Sequence, residues 1–224
     1  DGGDVDINLN DDLFVRGSDG NVGIGTTNPQ AALDLGNATN GRALVWGGAS
    51  GTAHYNSIWS EYGSASLVLG SGLKPSTSSA DFIFPFTGTY GYAAIELDSF
   101  SDDGIKFYTA ADGARTAGSI ATKQERVRID TSGNVGIGTN SPDHLLDLYK
   151  STGTTSTTTG TTLQRLWNYV GSDLKQQKTF IDFVFQDDNA NQYPQVRIGA
   201  EVGQNGDSDT TEKEGSGAFV VYTN

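Results

Sequence analysis

The decamers GNVGIGTTNP (20–29) and GNVGIGTNSP (133–142) are one phrase written twice, and the likeness continues into Ala32-Leu33-Asp34-Leu35 and Leu145-Leu146-Asp147-Leu148. In each copy valine and isoleucine alternate with glycine, the period of a strand with one apolar face and one face open to close backbone approach. Turn formers lie just upstream, Asp19-Gly20-Asn21 and Ser132-Gly133-Asn134. Downstream, Asn28-Pro29 and Ser141-Pro142 have the form of a helix N-cap followed by proline, which predicts one short helical turn. Leu33 and Leu35, with Leu146 and Leu148, then flank a carboxylate as a second short strand would. Two or three short strands are marginal alone in water, so such a unit must find its core elsewhere, and another chain is the natural source. The copies also lie too far apart for a solenoid, whose repeats run about 20–50 residues, so they punctuate larger bodies.

The phrase is a poor nucleotide loop. A dinucleotide cradle needs a third glycine and a following helix, whereas Gly23 and Gly25 lead into Thr26, Thr27, Asn28 and Pro29. Upstream the copies match less tightly, Phe14-Val15-Arg16 against Val127-Arg128-Ile129, and Phe107-Tyr108-Thr109-Ala110 is echoed by Val221-Tyr222-Thr223-Asn224. Between and after them, candidate strands at 42–46, 66–69, 81–84, 93–97 and 105–108, then 163–167, 179–185, 195–200 and 218–222, are separated by Gly, Ser and Asp. No helical period persists. The expected class is therefore all-β, with short β repeats alternating with larger β-rich domains. The expected plan is an N-terminal segment with the first repeat (1–35), an inserted domain (36–120), the second repeat (121–150), a Ser/Thr/Gly-rich stretch (151–162) and a second β-rich domain, incomplete (163–224). Residues 151–162 fit a flexible linker or a threonine-rich strand equally well. The N-terminal run 4–11 alternates Val5, Ile7 and Leu9 with acids and amides.

Composition narrows the chemistry. A net charge of −13, spread along the chain, argues against nucleic acid. With no cysteine there is no disulfide, zinc thiolate or thiol nucleophile. No apolar run is long enough to cross a membrane as a helix, and no signal peptide is visible. The missing methionine at position 1 and the strand-like FVVYTN at 219–224 fit a processed product or a part of something longer.

Catalytic patterns are weak. His54 and His144 have no ligand spacing around them, and Gly70-Ser71-Gly72 and Gly215-Ser216-Gly217 read as turns rather than nucleophile elbows. Glu96 and Asp98 share one face of a strand, with Asp102 and Asp103 just after, the raw material of a glycosidase pair or of a solvated acidic face. Asp4, Asp6, Asn8 and Asn10 also share a face but lack the EF-hand glycine and glutamate, which leaves a structural Ca²⁺ as the one ion in view. Trp46, Trp59, Trp167, Tyr55, Tyr62, Tyr90 and Tyr92 have the chemistry to stack on sugar rings, although burial is the commoner fate of such residues. Trp46 and Trp167, inside apolar runs, are expected in the core, and Trp59 is left open. The sequon Asn37-Ala38-Thr39 is discounted. No catalytic, cofactor-binding, metal-binding or receptor-binding residue is assigned.

ERVRIDTSGNVGIGTNSP (125–142), preceded by GIKFYTA (104–110), resembles a phrase that recurs in bacteriophage tail fibres and related virion fibre proteins. SDGNVGIGTTNPQAALDL (18–35) is similar to it but lacks the Glu-Arg-x-Arg-Ile-Asp lead-in. The resemblance implies a β-rich, intertwined homotrimer with Val22, Ile24, Val135 and Ile137 buried against symmetry mates, and Gly23, Gly25, Gly136 and Gly138 letting backbones approach. No counterpart of the self-cleaving chaperone domain of many such fibres is visible, so none of its chemistry is carried over. The implied function is a non-enzymatic structural protein of the virion surface that contributes to adhesion. Its partners would be copies of itself, other virion proteins and a host surface glycan, with no nucleic acid and no membrane insertion. A bacterial extracellular adhesin and a polysaccharide-degrading tailspike are the alternatives.

Overall fold

A computed structural model describes residues 6–10, 12–36, 43–47, 55–63, 66–98, 104–151, 162–167, 178–184, 194, 196–202 and 217–223. All regular structure among them is β, with no helix. The chain divides into two compact units, Asp1–Thr157 and Thr158–Asn224.

The first unit opens with a four-stranded sheet of β1 (Ile7–Leu9), β2 (Leu13–Val15), β3 (Val22–Ile24) and β4 (Leu33–Asp34), in that spatial order. The first three strands are antiparallel, and β4 returns parallel to β3. The elements that follow are β5 (Ala43–Gly47), β6 (Tyr55–Ser60), β7 (Leu67–Ser71), β8 (Lys74–Pro75), β9 (Phe82–Ile83), β10 (Gly88–Leu97), β11 (Ile105–Arg115), β12 (Ile120–Ala121), β13 (Glu125–Ile129), β14 (Val135–Ile137) and β15 (Leu146–Leu148). They make an eight-stranded sheet of order β15-β14-β13-β11-β10-β7-β6-β5 and a small sheet of order β12-β9-β8. None of these sheets closes into a barrel. One continuous sheet thus carries strands from both the expected inserted domain, 36–120, and the expected second repeat, 121–150.

The small sheet supplies the core. Phe82 packs edge-on between Trp59 and Tyr108, at ring-centroid distances of 5.4 and 5.5 Å, and joins Val68, Leu73, Phe84, Tyr90, Tyr92 and Ala94 in one buried cluster. Gly70 is needed there because a Cβ at that position would lie 2.6 Å from the Trp59 ring. Strand alternation sends Trp59, Val68, Ala94 and Tyr108 to this covered face and their neighbours to the other.

Expectations about two tryptophans, one strand and the helical turns fail here. Trp46 is 52% exposed and Trp167 73%, while Trp59 is 1% exposed. Trp46 lies on the edge strand β5 opposite Asn56, on the face that the small sheet does not cover, so an apolar run did not mean burial. Trp167 belongs to residues 162–167, where the expected strand 163–167 is not formed. Nor do Asn28-Pro29 and Ser141-Pro142 start a helical turn. The Thr26 and Thr139 hydroxyls accept the amide N–H of Asn28 and Ser141, both at 3.2 Å, a local turn that competes with helix.

The second unit contains an antiparallel sheet of β16 (Lys178–Phe183), β17 (Val196–Val202) and β18 (Gly217–Thr223), in that order.

Candidate functional site

The two copies of the phrase take the same form, β2-β3-β4 and β13-β14-β15, an antiparallel pair followed by a parallel return. The return uses residues 25–32 and 138–145, shorter than the dozen or so that a parallel crossover usually takes. Glycine makes it possible. Gly25 and Gly138 sit at φ of 68° and 79°, conformations that side chains resist. A Cβ on Gly23 or Gly136 would run into the backbone oxygen of Thr26 or Thr139 at 2.2 or 2.8 Å. Pro29 and Pro142 are buried in the returns. Asp34 ties the first return down, accepting the N–H of Gln30 and of Gly36, each at 2.8 Å. The close approach that the resemblance assigns to neighbouring chains is therefore made, at Gly23 and Gly136, within one chain.

The turns before β3 and β14 differ by one residue. Val15 pairs with Val22, and Ile129 with Val135, so the first turn spans 16–21 and the second 130–134. The alignment of Phe14-Val15-Arg16 with Val127-Arg128-Ile129 is accordingly one residue out, and one residue reverses the face. Phe14 shares its face with Gly23 and is buried, whereas Val127 shares its face with Ile137. The longer turn is held by Arg16, whose Nε donates to Asp19 Oδ1 at 2.9 Å and holds that carboxyl below its ordinary range. The shorter one is held by Asp130, which accepts the N–H of Ser132 and Asn134 at 2.9 and 2.8 Å.

Register places the apolar side chains in unbroken lines on the uncovered face. Leu44, Ile58, Leu69, Ile95, Phe107, Val127, Ile137 and Leu148 form one row across all eight strands. Leu67, Leu97, Ile105, Ile129, Val135 and Leu146 form the next. A groove of about 380 Å³ runs where Ser71 and Ala93 lower the surface between Trp46 and the first row. The four-stranded sheet repeats the pattern with Ile7, Val15, Val22 and Leu33, then Leu9, Leu13 and Ile24. The second unit does so with Ile181, Ile198 and Val221. Ile24 and Ile137 are exposed, and Val22 and Val135 half-buried.

No known family profile matches the chain, and no curated protein does. What the arrangement can do must therefore be read from its own chemistry. Beneath the covered face lies a polar cluster around the predicted carboxylates. Glu96 accepts the Tyr108 hydroxyl at 2.7 Å and stands 3.5 Å from the Lys123 ammonium, which also bonds Glu61. Asp98 accepts the Ser66 hydroxyl at 3.0 Å and pairs with Lys106 at 3.4 Å. Glu96 is 1% exposed and the Asp98 side chain 4%, so these acids do not form a solvated face. Burial, and then the bond to Glu96, push the Tyr108 phenol far above its ordinary value.

The remaining candidates are scattered. His144 is exposed, and His54, Asp4, Asp102, Asp103, Asn37 and Ser216 lie outside the described residues, as do 152–161. Asp6 accepts the Gly17 N–H at 2.7 Å, and Asn10 sits at φ 55° in the turn after β1. Among the described residues no three His, Cys, Asp or Glu side chains gather as a metal site. Ser71 ends β7, and Gly72 turns the chain at φ 74°. Tyr90 and Tyr92 are buried, their hydroxyls donating to the carbonyls of Phe86 and Thr122, while Tyr55 and Tyr62 are half-buried. Sequence reasoning missed Lys106, Lys123 and Glu61. The signal available was parity: Lys106 and Tyr108 alternate with Ile105, Phe107 and Thr109, so a lysine shared a face with a core tyrosine.

Proposed function

We propose that the chain is a structural segment of a virion fibre, a tail fibre or similar appendage, built as a homotrimer whose copies cover one another's apolar sheet faces and display the β-domains outward. The observation that carries this is the double apolar row across the eight-stranded sheet. At about 4.8 Å per strand and about 7 Å between rows, it offers on the order of 500 Å². That is already near the upper end of what a lone soluble chain exposes, and more than half of the roughly 800 Å² per partner of a standard interface. The resemblance of residues 104–110 and 125–142 to fibre proteins points the same way. A polysaccharide-degrading role is disfavoured because Glu96 and Asp98 are hydrogen-bonded and buried, where a sugar chain has no access.

Sedimentation equilibrium tests the assembly. A mass of three chains is expected, and a folded monomer with its apolar rows wet overturns the reading. A serum against the chain should decorate an appendage of purified virions in negative-stain micrographs; absence of label there, with the trimer intact, would favour an extracellular adhesin.

A further inference from the structure

We propose that Lys106 and Asp98 condense into an amide, a covalent staple between β10 and β11 whose proton carrier is Glu96. Three features support it, none of which depends on the fibre reading.

The first is geometry. Lys106 Nζ lies 3.4 Å from Asp98 Oδ2, which sets the nitrogen against the carboxyl group whose carbon it would attack, and neither partner is free to wander. The Ser66 hydroxyl holds Asp98 Oδ1 at 3.0 Å, and the Asp98 N–H donates to the Gly104 carbonyl at 2.9 Å. The second is dryness. The two side chains are 9% and 4% exposed, and Ser66 is fully buried. In a place so closed to water, proton transfer within the pair yields the free amine and the un-ionised acid that condensation requires. Exclusion of water also removes the reactant of the reverse step.

The third is a resident acid–base group. Glu96 is the register partner of Lys106 across the strands and shares its face with Asp98 two residues on. Its position is fixed by the Tyr108 hydroxyl and by Lys123. The step balances without any co-reactant. The Nζ lone pair attacks Asp98 Cγ, Glu96 takes the proton that nitrogen sheds and returns it to the departing carboxyl oxygen, the C–O bond breaks, and one water leaves as the Nζ–Cγ bond forms. In a chain without cysteine, this would tie the residue that follows β10 covalently to β11.

Intact-mass spectrometry of the full chain under denaturing conditions tests it. The folded chain is expected lighter than its sequence by one water, with the loss mapped to a cross-linked peptide containing residues 98 and 106. Lys106→Arg and Glu96→Gln should give full sequence mass while keeping a β-sheet far-UV spectrum. Asp98→Asn should lose ammonia instead and reach the same product mass as the parent, which keeps the proposal testable if another variant fails to fold. A folded parent chain that holds its full mass after prolonged incubation overturns the staple, and condensation in Glu96→Gln overturns the role given to Glu96.

Discussion

Ile95→Lys separates a covered apolar face from a wet one. Ile95 stands in the middle of the long row, between Leu69 and Phe107, and is 37% exposed in the protomer. Full burial of an isoleucine is worth about 1.5–3 kcal/mol, so covering the exposed third contributes roughly 0.5–1 kcal/mol per chain. If the face stays wet, a lysine there lays its stem along Leu69 and Phe107 with its ammonium in water, and the loss stays below about 1 kcal/mol. If three copies cover the face, three ammonium groups enter an apolar interface without partners, at several kcal/mol each. The expected result is a variant that sediments as a monomer and melts at a lower temperature that no longer depends on chain concentration. Ile95→Val, which removes one methylene at a cost of about 1 kcal/mol, should remain a trimer. A lysine variant with the parent's mass and melting temperature would refute the reasoning, because a buried interface cannot absorb three unpaired charges silently.

Three further outcomes follow from the geometry. Gly136→Ala should lower the urea midpoint more than Gly133→Ala, since the first meets Thr139 O at 2.8 Å whereas the second has open space and only the strain of φ 84°, about 1 kcal/mol. Lys123→Met, which keeps a stem over the Phe82 ring but removes the ammonium that pairs with Glu61 and Glu96, should destabilise by about 3 kcal/mol in chemical unfolding, near the low end for a broken buried pair because Lys123 is 29% exposed. Tyr108 governs the alkaline limb. Its raised value means that the folded chain keeps a proton the unfolded chain sheds near pH 10, so its contribution is complete below that pH and is lost as pH climbs beyond it. Tyr108→Phe should flatten that fall in a pH series of melting curves, at a cost of about 1–2 kcal/mol at neutral pH, where Glu96 loses the hydroxyl donor and keeps Lys123.

The β class was legible because Val-Gly-Ile alternation and the turn residues between short apolar runs act locally, and the strands at 43–47, 67–71, 105–115 and 196–202 lie where those runs do. Which face of each strand is covered was not legible, because it depends on what packs there. SerLeuValLeu at 66–69 reads as one apolar run, yet Val68 is sealed while Leu67 and Leu69 are about 40% exposed. The same limit misplaced Trp46. The carboxylates Glu96 and Asp98 were found by spacing, but their surroundings were not, since Lys123, itself bonded to Glu61, reaches Glu96 from a distant part of the chain.

The glycines change what kind of trimer is proposed. Had Gly23 and Gly136 been open on a strand face, three backbones would have room to wind closely about an axis. Each is instead filled by its own chain's return, and Gly25 and Gly138 are fixed by turn geometry, so the phrase is a self-contained corner with nothing left over for a neighbour's backbone. In the proposed trimer, contact between copies then falls to the side chains on the opposite face of the same strands, Val22, Ile24, Val135 and Ile137, which continue the rows of the sheets that hold them. Apolar rows of this kind meet as sheet faces about 10 Å apart, by interdigitation rather than backbone approach. Lengthening Ile24 and Ile137 to phenylalanine should therefore disturb assembly, while alanine at Gly23 or Gly136 should damage the protomer first. The two classes of variant are distinguished by whether unfolding or dissociation comes first as the chain is diluted.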